Sequence, residues 1–158
     1  MKRIYNFNAG PAMLPLEVLQ EVQSELLDLQ GSGMSILEMS HRAPVYEKIN
    51  AEAEADIKEL LGLGDDYCVL FMGGGASLQF SMVPMNFLGA GQTAAYAVTS
   101  NFSDKAVKEA EKVGNVVVPF SSKAEKYDRV PQPGEIRLPE NCAYLHITAN
   151  NTIEGTEY

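Results

Sequence analysis

The run Val69-Leu-Phe-Met-Gly-Gly-Gly-Ala-Ser-Leu-Gln-Phe80 constrains this chain more than any other stretch. An apolar segment breaks into three glycines and resumes with helix-compatible residues, which predicts a buried strand, a backbone-only loop and the start of a helix. Glycines let the main chain approach a ligand closely, and the first N–H groups of a helix have no partner of their own. Such a loop can hold a phosphate, with the helix dipole adding about 0.3–1 kcal/mol when exposed. No Gly-Lys-Ser/Thr follows, so it is not a Walker motif, and the glycines lack the spacing of a dinucleotide fingerprint. On pattern alone it is either an anion cup or a tight strand-to-helix turn.

At 158 residues the chain is long enough for one domain with a core and too short for two substantial ones. Twelve basic against twenty-one acidic residues give a net charge of −9, which argues against nucleic acid or an anionic membrane as the main partner. No segment has the length of a membrane span, and the first residues lack the apolar core of a signal peptide. Cys68 and Cys142 fall in apolar, strand-like runs and are expected to be buried reduced thiols. With two histidines and no Cys/His cluster, no metal site is expected.

Along the chain, Pro15 suits the first position of a helix, and Leu16, Leu19, Val22, Leu26 and Leu29 repeat at helical spacing until Gly31. Val45, Ile49, Ala53, Ile57 and Leu60 predict a second amphipathic helix stopping at Gly62. The period then changes. Strands are expected at 67–72, 93–98, 115–120 and 142–148, with helices at 77–88, expected to kink at Pro84, and at 103–113 capped by Ser103. Strands alternating with helices indicate an α/β fold, a mostly parallel sheet flanked by helices. Asn150–Gly155 reads as a loop leaving the carboxyl end of a strand, where such folds place ligands. The chain ends three residues later, which suggests a domain interrupted in mid-course.

Four other positions carry open alternatives. Arg42 is a planar fork suited to a carboxylate or phosphate, or a surface arginine. Phe102 is a hydrophobic staple against the following helix or a ring stacked on a flat ligand. His41 and His146 are acid–base groups or structural histidines.

Taken together, Phe7–Pro15, Glu38-Met-Ser-His-Arg42, Gly73–Phe80 with Pro84-Met-Asn86, Tyr96–Ala110 and His146–Gly155 closely resemble the phosphoserine aminotransferases, in the same order and across the whole chain. These are class V, fold-type I pyridoxal-phosphate enzymes more than twice as long as this chain. The resemblance implies that residues 1–158 are the amino-terminal arm and first part of the large cofactor-binding domain, an incomplete version of it. It implies transfer of the glutamate amino group to 3-phosphohydroxypyruvate in serine biosynthesis, by a cytoplasmic homodimer; bacterial members of the family can also serve pyridoxine biosynthesis. It further implies that Ala76 and Ser77 bind the cofactor phosphate and that Phe102 stands where a tryptophan usually stacks on the pyridine ring. Thr152 would bond the ring hydroxyl, and Arg42 would bind the substrate carboxylate.

The sequence departs from the family pattern at Thr99-Ser-Asn-Phe-Ser103, where Phe102 offers less stacking area than tryptophan and no indole N–H. Ala9 stands where some relatives carry serine. In the family, the lysine that attaches the cofactor and the carboxylate that holds its ring nitrogen come after the span matched here. None of Lys2, Lys48, Lys58, Lys105, Lys108, Lys112, Lys123 and Lys126 follows a buried strand, and all are expected to be solvated. No catalytic residue is therefore expected in this chain, and the chain alone is expected to be inactive. The alternative is a non-catalytic remnant that binds pyridoxal phosphate or phosphate.

Overall fold

A computed structural model of the chain describes residues 3–8 and 10–158; Met1, Lys2 and Ala9 lie outside them. The described residues form two compact units that divide between Phe71 and Met72.

The first unit is helical. Helix α1 covers Leu16–Glu25, with Pro15 as its N-cap rather than its first helical residue. The apolar repeat runs on to Leu29, but the helix stops sooner because local bonds compete with it. The Asp28 carboxylate accepts from the Gly33 N–H (2.8 Å), the Leu29 N–H bonds Met34 C=O (3.0 Å), and Gln30 and Gly31 both have positive φ. A single 3₁₀ turn, Ile36–Glu38, opens with a capping box between Ser35 and Glu38. Helix α2, Pro44–Leu61, begins with Pro44 where its missing N–H costs nothing. It ends at Gly62 in the left-handed region, whose N–H and that of Leu63 return to the last-turn carbonyls.

The second unit is α/β. Its order is α3 (Gly75–Phe87), β1 (Thr93–Val98), α4 (Asn101–Ala110), β2 (Asn115–Ser121), a 3₁₀ turn at Lys123–Glu125, β3 (Cys142–His146), β4 (Asn150–Asn151) and β5 (Thr156–Glu157). Strands β2, β1 and β3 form a parallel sheet in that order, with β1 central. All six β1 residues are buried, as a two-sided covered strand requires. The β1–β2 register shifts between Ala95 and Ala97, opposite Val117 and Phe120. Pro119 lies in that gap and has no N–H to give the ladder, so the edge strand bulges there. Ala94, Tyr96 and Val98 of β1 pack with Ala106, Val107 and Ala110 of α4 and with Tyr127, and Phe80, Leu88, Val116 and Tyr144 close around them.

Two expectations fail at the junction of the units. Residues 67–72 form no strand among the described residues, although the run is apolar. A strand exists only through its ladder, and residues 67–72 pair with none of β1, β2 and β3. Leu70, Phe71 and Met72 are consequently exposed, and so is Cys68, contrary to its expected burial; Cys142 is half-buried, and both thiols are free. Among the described residues no helix is long and apolar enough to cross a membrane, and no group of acidic, histidine or cysteine side chains could hold a metal ion.

Candidate functional site

The glycine loop forms the entry to α3. Gly74 is its N-cap with φ 84° and ψ −6°, and Gly75 follows with φ 57°. Two successive left-handed residues are accessible to glycine and strained for any residue with a Cβ. The helix therefore starts at Gly75, two residues before the expected start, which makes Ala76 and Ser77 part of its first turn. The first turn closes when the Leu78 N–H bonds Gly74 C=O (3.2 Å). The N–H groups of Gly75, Ala76 and Ser77 precede that bond and have no helical acceptor. Ala76 and Ser77 are exposed, so their N–H groups and the Ser77 hydroxyl are open to a ligand.

A second wall is built where β1 ends. Val98 leads into Thr99 and Ser100, both fully buried, and Ser100 caps α4. Its hydroxyl accepts from the Ser103 N–H (3.1 Å), while the Ser103 hydroxyl accepts from the N–H groups of Thr99 (2.9 Å) and Ser100 (2.8 Å). Ser103 is thus the reciprocal partner in a capping box rather than the cap, and α4 starts at Asn101, two residues earlier than expected. Phe102 accordingly lies within the first turn, not ahead of the helix. It is half-buried, with Lys105 Nζ 5.3 Å from its ring centre.

The expected ligand loop is a short hairpin. β4 and β5 pair antiparallel, Asn150 with Glu157 and Asn151 with Thr156, and Thr152 occupies the exposed turn between them. Two side chains fasten the hairpin to the end of β1. Asn151, 2% exposed, donates to the Thr99 hydroxyl (3.3 Å) and to the Thr156 hydroxyl (2.9 Å). Glu154 Oε1 accepts from both the Asn101 N–H and the Asn101 amide, each at 3.0 Å. Phe102 and Thr152 are thereby drawn to one end of the sheet, beyond the carboxyl ends of its parallel strands.

Four buried polar atoms have no partner among the described residues: Thr148 Oγ1, Asn151 Oδ1, Glu154 Oε2 and His146 Nδ1. Three of the four belong to the segment running from the end of β3 into the hairpin. Buried polar groups are normally satisfied, so this grouping marks a place that a ligand or water completes. His146 stacks on Tyr96 (4.8 Å between ring centres, 25°) and meets Phe80 edge-on (6.3 Å). Burial holds its pKa below the ordinary histidine value, so the ring is neutral near pH 7. Tyr96 in turn shares a hydroxyl–hydroxyl bond of 2.9 Å with Tyr144, and burial raises both phenols.

Of the residues singled out from the sequence, Ala76, Ser77, Phe102 and Thr152 all belong to the second unit. Arg42 belongs to the first, in the turn before α2, exposed, with its N–H on the Ser40 hydroxyl (3.2 Å). Sequence reasoning missed Thr99, Asn101, Asn151 and Glu154. For Thr99 and Asn101 the available signal was the switch from apolar to polar residues directly after the strand at 93–98.

The family model for class-V aminotransferases matches residues 4–158. The chain is 55% identical to the phosphoserine aminotransferase of Niallia circulans over 157 residues, covering 99% of this chain and 43% of that protein. Its fold superposes on the phosphoserine aminotransferase from Bacillus circulans subsp. alkalophilus with a TM-score of 0.91 at 54% identity, covering 99% of this chain and 43% of the other. It superposes on the PLP-bound phosphoserine aminotransferase from Trichomonas vaginalis with a TM-score of 0.87 at 34% identity, covering 99% and 44%. The chain thus spans less than half the length of these relatives. A family model matching residues 4–158, with a fold that superposes on these proteins over 99% of the chain, means that the chain belongs to the class-V aminotransferases.

Proposed function

We propose that this chain supplies the phosphate cup and one wall of the pyridoxal-phosphate site of a phosphoserine aminotransferase. The observation that carries this reading is the open first turn of α3, where two left-handed glycines leave the N–H groups of Ala76 and Ser77 exposed and without helical acceptors. The residues present suit the cofactor. An anion fits the unpaired N–H groups of Ala76 and Ser77 and the Ser77 hydroxyl. A flat ring fits against Phe102, and a ring hydroxyl fits Thr152, beside the unpartnered Thr148 Oγ1 and Asn151 Oδ1.

When bound, pyridoxal phosphate supplies an electron sink that lets an amino group leave one substrate and join another. The chain's own part is to bind and orient: Ala76 and Ser77 fix the phosphate end, Phe102 fixes the ring plane, and Arg42 holds a substrate carboxylate. The substrates in this reading are glutamate and 3-phosphohydroxypyruvate, giving O-phosphoserine for serine biosynthesis, with a phosphorylated intermediate of pyridoxine biosynthesis as a second acceptor. The working enzyme is a cytoplasmic homodimer, a reading supported by the resemblance of the motifs. Residues 1–158 correspond to the amino-terminal arm and first part of its large domain.

By itself the 158-residue chain does not turn over. Lys48, Lys105, Lys108, Lys112, Lys123 and Lys126 are exposed and Lys58 is half-buried, so no described lysine is desolvated enough to serve as an attached, proton-moving amine. Lys48, Lys108, Lys112 and Lys123 are also paired with carboxylates.

Pyridoxamine 5′-phosphate is the suitable probe, because the aldehyde of pyridoxal phosphate would label exposed lysines indiscriminately. We expect reversible binding, followed by fluorescence, that weakens in Ser77→Ala, and no O-phosphoserine from glutamate and 3-phosphohydroxypyruvate. Turnover by this chain would overturn the claim of inactivity. Absence of binding would overturn the cofactor reading, and equal displacement by inorganic phosphate at matched concentration would leave a plain phosphate site.

A further inference from the structure

We propose that Glu154 is a positioning residue that locks the hairpin carrying Thr152 onto the first turn of the helix carrying Phe102. This rests on the reading that those two residues contact the cofactor. A hairpin with two-residue strands has too few ladder bonds to hold its own orientation. Its direction must come from what it is tied to.

The structure offers ties at both ends of the hairpin. At the base, the buried Asn151 reaches Thr99 and the Tyr158 N–H returns to Ala149 C=O (3.0 Å). At the tip, one oxygen of Glu154 accepts two hydrogen bonds from Asn101, fifty-three positions away in sequence. Asn101 is the first residue of α4, so its N–H is one that the helix leaves unpaired, and a carboxylate there is also favoured by the helix dipole. Glu154 stands two residues after Thr152, and Asn101 stands next to Phe102. With the base held through Asn151, the spacing between the ring wall and the hydroxyl at the tip is therefore set through this carboxylate. Binding constellations tolerate displacements of only about 0.5 Å before affinity drops.

The other Glu154 oxygen, Oε2, is buried without a partner. Among the described residues the carboxylate is held by the two bonds on Oε1.

The test is made on the intact chain, with pyridoxamine 5′-phosphate as the ligand and amide hydrogen exchange as a second readout. Glu154→Ala is expected to weaken binding about tenfold and to speed exchange at 101–104 and 150–157, leaving 93–98 protected as before. Glu154→Gln keeps an acceptor toward Asn101 and is expected to stay within about threefold. Asn101→Ala removes one of the two bonds, and in the Glu154→Ala background it should add nothing further.

Unchanged affinity and exchange in Glu154→Ala refute the tie. Exchange that rises equally across the sheet, with Gln no better than Ala, also refutes it by showing a role in global stability only. Should the unaltered chain fail to bind the probe, the cofactor reading falls, and the exchange data alone still decide the tie. Acceleration confined to the two segments upholds it, and no acceleration refutes it.

Discussion

Gly74→Ala should be the most damaging single-methyl addition to the glycine loop, and Gly75→Ala supplies the control. Both residues have positive φ, 84° and 57°, so each alanine bears the left-handed penalty of about 1–2 kcal/mol. The surroundings then separate them. A Cβ at Gly75 meets nothing within 4 Å, whereas one at Gly74 would lie 2.7 Å from Leu78 Cβ and 2.8 Å from Leu78 Cδ2. Carbon atoms settle about 3.5–4.0 Å apart, so both contacts are roughly 1 Å too close. A new Leu78 rotamer moves Cδ2 but not Cβ, so the backbone of the first turn must give way. Overpacking of this kind costs about 1–3 kcal/mol, which brings Gly74→Ala to about 2–5 kcal/mol against about 1–2 for Gly75→Ala. Denaturant unfolding followed by far-UV circular dichroism would measure both. Because the displaced turn carries the open N–H groups, Gly74→Ala should also lose more pyridoxamine 5′-phosphate affinity than its control. In a Leu78→Gly background the three nearest obstacles are gone, and the two alanines should cost the same. Equal costs in the unaltered background would refute the argument.

Three further outcomes follow from the second unit. Ser103→Ala should destabilise by about 2–4 kcal/mol, since it strands the buried N–H groups of Thr99 and Ser100, while Ser100→Ala should cost about 1 kcal/mol as a lost cap; chemical denaturation of both variants checks the order. Phe102→Trp should tighten pyridoxamine 5′-phosphate binding and Phe102→Ala should weaken it by up to about tenfold, because an aromatic contact is worth about 0.5–1.5 kcal/mol; fluorescence titration reads both. Burial lowers the folded-state pKa of His146 below 6.5, so the unfolded chain binds its proton first and stability falls as pH drops below about 6.5, by at most about 1.4 kcal/mol per pH unit. His146→Gln should flatten that part of a stability–pH curve, and an unchanged slope would exclude His146 as its source.

Sheet and helices were legible because their signals are local. The valine-rich run at 115–120 and the Thr93–Val98 run are both strands, the second buried throughout, and Gly31 and Gly62 mark real turns. Helix starts were less legible. Ala76 and Phe102 are each the second residue of a helix that begins two residues before its expected start at Ser77 or Ser103, because a serine was taken for the cap in one place and the glycines for pure loop in the other. What caps α4 is Ser100, and its tie to Ser103 follows from capping-box spacing that the run Ser100-Asn-Phe-Ser103 hides, since serine stands where glutamate usually does. Residues 67–72 failed for a different reason. Apolarity signals that a segment is fit for a sheet, but a ladder needs a neighbour, and no local pattern reports whether one is available. Asn151 and Glu154 were invisible for the same cause: their partners, Thr99 and Asn101, are more than fifty positions away.

The distribution of buried side chains bears on what the two units can do. Among the described residues, Leu29 is the only buried apolar side chain of the first unit, while Tyr96, Val98, Val107, Phe120, Tyr127 and five β1 and α4 alanines lie buried in the second. On α1, Leu16, Val18, Leu19, Val22 and Leu26 are each 39% exposed or more, although they repeat at the spacing of a packed face. Helices of 10–18 residues draw most of their stability from such packing rather than from propensity. The cup, the ring wall and the hairpin all stand on the unit that carries its own core, whereas Arg42 stands on the unit that does not. Cofactor affinity and carboxylate recognition should therefore separate on mild denaturation. Pyridoxamine 5′-phosphate binding is expected to outlast α1 and α2, observed as loss of exchange protection at 16–25 and 44–61 before the probe is released. Simultaneous loss of both would show that the first unit, despite its thin core, unfolds together with the sheet.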